Sequence, residues 1–244
     1  SQTNIRQSGV DEGDIAKTDG TYLYVLKDKS DQIAIIDTRD NRMKQTATIT
    51  VEDVSEIQEM YLDIERNQLI AVCDGYVGGK WNDDDYGYGQ RANTTAVTYD
   101  ISDRENPKEV GRVSQSGYYN SSRIADGYLY LFSDYYVTLD GITAKNPKSY
   151  IPLVNDNLIK ETDICLPSIS KADMYSIITS VSLENPNETA HSKALLADGG
   201  NLYVSNDNIY FYENVWQYSG KDVTTIRKVS YESGKLTAGA QCKI

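Results

Sequence analysis

The sequence predicts an all-β chain built from repeated four-stranded units. Three observations carry this. Proline is scarce, with five in 244 residues, and no long segment shows the 3.6-residue apolar period of a helix. Short alternating runs such as YLYVL (22–26) recur between Asx/Gly turns. The same strand order then returns along the chain, which marks a repeat architecture.

In the first unit, strands are expected at 14–18, 21–27, 32–37 and 43–49. Asp19-Gly20 makes the first turn, because Gly supplies the positive φ that a two-residue hairpin loop requires. Four antiparallel strands in roughly 45 residues is the size of one β-propeller blade. The second unit reads as strands at 57–62, 68–73, 94–100 and 108–113. The third opens at 119–124, turns at Asp126-Gly127, continues at 128–133, and resumes at 174–183 and 188–196. The fourth runs through 201–205, the turn Asn206-Asp207, then 208–213, 224–231 and 235–240. The expectation is a single β-propeller of about four blades, at 14–50, 57–114, 119–197 and 201–241.

The links between second and third strands differ most. They cover 28–31, 74–93, 134–173 and 214–223 in the four units. Strands of a blade alternate direction, so all these links emerge on one face of the ring, the side repeat proteins often use for binding. Trp81, Tyr86, Tyr88, Trp216 and Tyr218 lie in them and are candidates for a stacking platform toward a ligand. The alternative reading has the two tryptophans pinning loops onto the propeller.

Composition removes some classes. There are 36 Asp+Glu against 24 Lys+Arg, a net charge of −12, which disfavours nucleic-acid and anionic-membrane binding. No run of about 18 apolar residues exists, so the chain itself is not expected to span a membrane. It starts at Ser1 without Met, which leaves room for an upstream targeting or anchoring segment. Twenty Tyr against two Phe suits half-exposed strands. Cys73, Cys165 and Cys242 allow one disulfide, for instance Cys165 with Cys242, or three free thiols, and do not fit a zinc site.

The segment GVDEGDIAKTDGTYLYVL (9–26) places Asp11, Glu12, Asp14 and Asp19 within nine residues. It reads as lead-in and turn chemistry for the first strand rather than as a ligand site. The segment also resembles the opening of a group of bacterial secreted or membrane-anchored β-propeller proteins, described as distantly related to WD-repeat propellers. The resemblance continues through TYDISDRENPKEV, GYYNSSRIADGYLYLFS, SYIPLVND, TDICLP and KALLADGGNLYVSNDNIYFYE. The Gly-His and Trp-Asp signatures of WD repeats are missing. The resemblance implies export to the cell envelope, at an extracellular or cell-surface location, commonly behind an N-terminal membrane segment. It supplies no activity. It further implies a longer propeller, of which this chain resembles the front portion. Four blades then dimerise, close as a compact ring, or are stabilised by partner contacts.

Candidate chemistry is sparse. Asp83, Asp84 and Asp85 in WNDDDYGYG could hold a hard cation such as Ca²⁺, although EF-hand spacing is absent and a solvated acidic loop is the simpler reading. Arg123, on an inner strand near the central channel, suits a carboxylate ligand or an acid of a neighbouring blade. His191 lacks a nucleophilic partner or a G-x-S-x-G elbow. Asn93-Thr94-Thr95, Asn120-Ser121-Ser122 and Asn187-Glu188-Thr189 fit an N-glycosylation pattern, which a bacterial origin makes uninformative. The sequence therefore points to a non-catalytic binding or protein-interaction module whose partner is a glycan, a peptide or an envelope protein. Its alternatives are an exported saccharide-acting hydrolase, with acids at 83–85 or in the 134–173 link, and a structural propeller holding a cation.

Overall fold

The computed structural model describes residues 10–28, 30–39, 43–76, 92–137, 142, 145–166, 172–197, 201–215 and 223–244. Every strand expected from the repeat is present. Blade one is β2 (Ala16–Thr18), β3 (Tyr22–Leu26), β4 (Gln32–Asp37) and β5 (Lys44–Thr50). Blade two is β6 (Glu56–Asp63), β7 (Gln68–Tyr76), β8 (Ala92–Asp100) and β9 (Lys108–Ser116). Blade three is β10 (Tyr118–Ala125), β11 (Tyr128–Tyr136), β15 (Met174–Ser182) and β16 (Thr189–Ala197); blade four is β17 (Asn201–Val204), β18 (Asn208–Val215), β19 (Val223–Glu232) and β20 (Lys235–Lys243). Four short strands were not legible: β1 (Val10–Asp11), β12 (Leu153–Val154), β13 (Asn157–Leu158) and β14 (Ile164–Cys165).

Burial explains the stacking. Strands β7, β8, β11 and β15 are buried on both faces because a blade lies against each side, and β8 and β15 carry buried Thr and Ser among their apolar residues. Tyr24, Ile33 and Ile35 of blade one meet Leu69, Ala71 and Val97 of blade two. Ile70, Val72 and Val113 of blade two meet Leu129, Leu131 and Val181 of blade three. Tyr130, Phe132 and Ile178 of blade three meet Ile209, Val229 and Tyr231 of blade four. Among the described residues no such cluster joins blade four to blade one, so they show no compact four-blade closure. Tyr203 (54% exposed) and Tyr212 (40%) stand on the outer face of blade four instead.

The acidic opening segment is built into the sheets. Val10 and Asp11 pair with Ala125 and Ile124 of β10, the inner strand of blade three. Asp14 exchanges two backbone bonds with Met60 of β6, the inner strand of blade two. Two residues later the chain becomes the inner strand of blade one. A Cβ at Gly13 would lie 2.2 Å from the Glu59 carboxyl carbon, so any side chain there would displace that carboxylate. The Lys17 ammonium, 4% exposed as a residue, donates to the Glu12 carbonyl at 2.8 Å and sits 3.6 Å from Asp11 Oδ1. The Asp19 carboxylate accepts the amides of Thr21 (2.9 Å) and Tyr22 (2.7 Å), the turn role its position implies.

Blades two and three are further joined through the turn that follows β15. The turn after β15 lays Pro186 against Gly111 so closely that a Cβ there would be 2.5 Å from the proline ring. Asn187 Oδ1 accepts the Arg112 amide and its Nδ2 donates to the Val110 carbonyl (2.8 Å), so this side chain of the third glycosylation-like triplet is spent on β9.

Candidate functional site

The long link of blade three organises the face where the links emerge. Within it, Val154-Asn155-Asp156-Asn157 closes a two-residue hairpin between β12 and β13, with Asn155 (φ 47°) and Asp156 (φ 60°) both left-handed. β12 then adds to the outer edge of blade two. Asn155 gives its amide to the Ser114 carbonyl and takes the Ser114 amide on its Oδ1, both at 2.9 Å, while Leu153 N–H donates to Ser116 Oγ at 2.9 Å. Further on, β14 runs parallel to β16 at the edge of blade three. The link thus covers the outer edges of two blades, and it leaves a cavity on each side of the hairpin.

The first cavity, of about 500 Å³, is lined by Asp53, Tyr76, Asn93, Arg112, Ser114 and Asp156, among others. Side-chain alternation puts Asn93, Thr95 and Ser114 on the face of blade two that looks toward blade one, in register across β8 and β9. The Asn93 Oδ1 is buried and, among the described residues, accepts no hydrogen bond. It lies so close to Gly75 that a Cβ at that position would be 2.6 Å away. Arg112 is committed: its Nε and Nη2 each donate to Glu109 at 2.8 Å, and Nη1 reaches the Glu52 carbonyl at 3.2 Å. Asp53 and Asp156 sit exposed at the rim, and among the described residues neither carboxylate has an ion pair.

The second cavity, of about 270 Å³, lies between the hairpin and β16 and includes Lys160, Asp163, His191 and Ser192. Asp163, His191 and the neighbouring Lys193 satisfy one another. His191 Nδ1 accepts the Leu236 amide at 2.9 Å, which leaves Nε2 to carry the proton toward Asp163 at 3.2 Å. Lys193 donates to the same Asp163 oxygen at 3.1 Å. Burial pushes the Asp163 carboxyl upward, but Lys193 and His191 more than offset it and hold it below the usual carboxylate range. With one ring nitrogen on a backbone amide and the other on Asp163, His191 is a pin between blades three and four rather than a base.

Two carboxylates of the same link face act as latches. Asp74 Oδ1 accepts the Tyr119 amide of the next blade at 2.7 Å, and Asp134 accepts Asn120 (2.6 Å) and Ser176 (3.0 Å). They occupy equivalent positions near the end of the second strand of blades two and three. Burial raises both above the usual carboxylate range.

Arg123 is on the inner strand β10, as its position in the repeat implies. Its Nη2 is 3.6 Å from Glu12, and Nη1 donates to Ser121 Oγ at 2.8 Å, so the acid it meets comes from the opening segment. Beside it Glu59 accepts hydrogen bonds from Tyr61 (3.0 Å) and Ser122, a network that joins the inner strands of blades two and three. Trp81, Tyr86, Tyr88, Trp216 and Tyr218, together with Asp83, Asp84 and Asp85, lie outside the described residues. Cys73, Cys165 and Cys242 are all free. Among the described residues no group of three acids, histidines or cysteines is placed to hold a metal ion.

Sequence reading missed Asp53, Arg112 and Asp156 as cavity residues, and named Asn93 only within a glycosylation pattern. The one local signal was VNDN (154–157), whose hairpin chemistry marks where the link turns back.

Four sheets of four blade strands, stacked face to face through apolar junctions, match one family along the full length: the Beta propeller domain, over residues 1–244. The chain belongs to that family. An uncharacterized protein of Methanocaldococcus jannaschii is 25% identical over 223 residues, which is 88% of this chain and 29% of that protein. The chain thus spans under a third of this curated relative. Among solved structures, Kuenenia stuttgartiensis hydrazine synthase aligns with 90% of this propeller chain and 51% of its own, at a TM-score of 0.44 and 11% identity. A functionally unknown protein from Desulfotomaculum acetoxidans aligns with 98% and 71%, at 0.31 and 11%. Likeness at these scores carries no argument about activity.

Proposed function

We propose that this propeller is a non-catalytic binding or interaction module of the bacterial cell envelope, used through the face that carries its long links. The extracellular or cell-surface placement rests on the family resemblance of the opening segment, and the partner classes are a glycan, a peptide or an envelope protein. One observation carries the reading: a cavity of about 500 Å³ on the link face, lined mainly by polar side chains of blade two and of the hairpin, Asn93, Thr95, Ser114 and Asp156 among them. Sites of about 300–1,000 Å³ with a few convergent polar groups are typical of small-ligand binding.

The test is a panel of peptidoglycan fragments and envelope peptides measured by calorimetry, with wild type and Asn93→Ala compared after circular dichroism confirms both are folded. Binding by wild type that falls at least tenfold in Asn93→Ala supports the reading. Absence of binding across the panel, or chemically altered panel members in mass spectra, overturns it.

A further inference from the structure

We propose that two copies of this chain pair head to tail, the outer face of blade four in each stacking on the outer face of blade one in the other, to close one ring. The four blades repeat a single pattern at their junctions. Their second strands read YLYVL (22–26), QLIAV (68–72), YLYLF (128–132) and NIYFY (208–212), and successive side chains go to opposite faces. Toward the preceding blade point Leu69, Ala71, Leu129, Leu131 and Ile209, all at most 1% exposed. Toward the following blade point Tyr24, Ile70, Val72, Tyr130 and Phe132, buried to the same degree.

The two end blades carry the same pattern without a junction. Leu23 and Val25 of β3, with Ile36 of β4 directly across from Leu23, face away from blade two and are half-buried. They occupy the positions at which blades two and three bury Leu69, Ala71, Leu129 and Leu131. Tyr210 and Tyr212 of β18 face away from blade three, at the positions of Tyr130 and Phe132. Tyr212 is exposed, and the Tyr203 ring lies beside that of Tyr210 with centroids 6.5 Å apart. Among the described residues, none of Leu23, Val25, Ile36, Tyr210 and Tyr212 belongs to a buried apolar cluster.

Each chain thus presents both halves of one more junction of the kind it already makes between its own blades. Contiguous exposed apolar surface of this sort marks an interaction site. A second copy supplies both missing halves at once, and a head-to-tail contact that returns on itself closes rather than propagates. Two copies of a chain with four blade sheets stay within the roughly four to eight blades usual for propellers, and three copies would not. A symmetric contact between two blade-four faces would leave Leu23, Val25 and Ile36 uncovered. The pairing uses the sides of the end blades and does not draw on the link face, so it is independent of the binding reading above.

Sedimentation velocity across micromolar concentrations tests this, with Leu23→Asp and Tyr212→Asp each checked for fold by circular dichroism. Wild type should sediment as a closed dimer, and each variant should dimerise at least tenfold more weakly. An equimolar mixture of the two variants should pair more tightly than either alone, through the one junction that then carries no aspartate. Hydroxyl-radical footprinting of the wild type needs no variant, and should protect Leu23, Ile36 and Tyr212 together as concentration rises. A monomeric wild type, an open-ended series of larger species, a dimer unweakened by either variant, or protection of Tyr212 without Leu23 and Ile36 overturns the proposal.

Discussion

Arg104, on the loop after the third strand of blade two, reaches Asp19 in the first turn of blade one, with Nη2 3.2 Å from Oδ2. The Tyr24 hydroxyl lies between them, donating to Asp19 Oδ2 at 3.2 Å and accepting from Arg104 Nε at 3.3 Å. This polar triad caps the apolar junction in which the Tyr24 ring is fully buried. Burial and its neighbours push the Tyr24 hydroxyl up to about 12, so it stays a donor at physiological pH.

Asp19→Ala should destabilise the protein by about 2 kcal/mol at pH 7, since it removes two amide acceptors and leaves Arg104 and Tyr24 short of a partner. Burial works against the Asp19 carboxylate, but the Tyr22 and Thr21 amides and Arg104 outweigh it, leaving the group below the usual range. A depressed folded pKa gives stability that is present above about 3.9 and lost as pH falls through the folded value. Urea unfolding at pH 7 and at pH 3 should show the gap between wild type and Asp19→Asn shrinking at the lower pH. A constant gap would mean the carboxylate charge contributes nothing.

Asp134 has the opposite sign. Burial raises its folded pKa, so the charged form is disfavoured and stability is lost as pH rises from about 3.9 through the folded value. Asp134→Asn keeps the shape and, after amide and hydroxyl reorientation, the bonds to Asn120 and Ser176. Its stability relative to wild type should improve between pH 4 and pH 7. A relative loss over that interval would show that the carboxylate is needed as an anion.

Gly111→Ala should cost about 1–3 kcal/mol, because the new methyl meets Pro186 ring and backbone atoms at 2.5–2.6 Å and forces the two blades apart. Gly127→Ala meets no atom within 4 Å, and its loss would come from the positive φ alone. Thermal unfolding of the pair separates packing from backbone conformation. Equal losses would argue against a tight junction at Pro186.

His191→Leu should leave the Leu236 amide without its acceptor. Hydrogen exchange at Leu236 should accelerate and stability should fall by about 1–3 kcal/mol. Unchanged protection at Leu236 would remove His191 from its pinning role.

Thiol labelling under native conditions should modify exposed Cys242 first and spare Cys73 until the protein unfolds. Cys73 is fully buried, and burial raises its thiol far above the reactive range.

The blade strands were legible because each carries its own local signal: alternation ended by a turn at Asp19-Gly20, Asp126-Gly127 or Asn206-Asp207. Of the added strands only β12 and β13 carry one, the VNDN turn at 154–157. β1 and β14 are two residues each, too short for any period, and their pairing is decided by which edges the folded blades leave open. The cavity is invisible for the same reason. Asp53, Asn93, Arg112 and Asp156 come from four separate segments, and only tertiary packing brings them around one space. The acidity of the opening segment was readable as structural, although its partners in blades two and three were not.

That opening segment has a consequence for how the protein is made. Asp11 leaves the ribosome before blades one and two, yet its pairing partner Ile124 is synthesised only with blade three. Domains form from the N-terminus onward during translation, and contacts distant in sequence are slow to close. The nascent chain must therefore hold residues 10 and 11 unpaired while two whole blades emerge, although Asp14 finds Met60 as soon as blade two begins. Val10 and Asp11 find their place only with the inner strand of blade three, and its synthesis is the event that seats them.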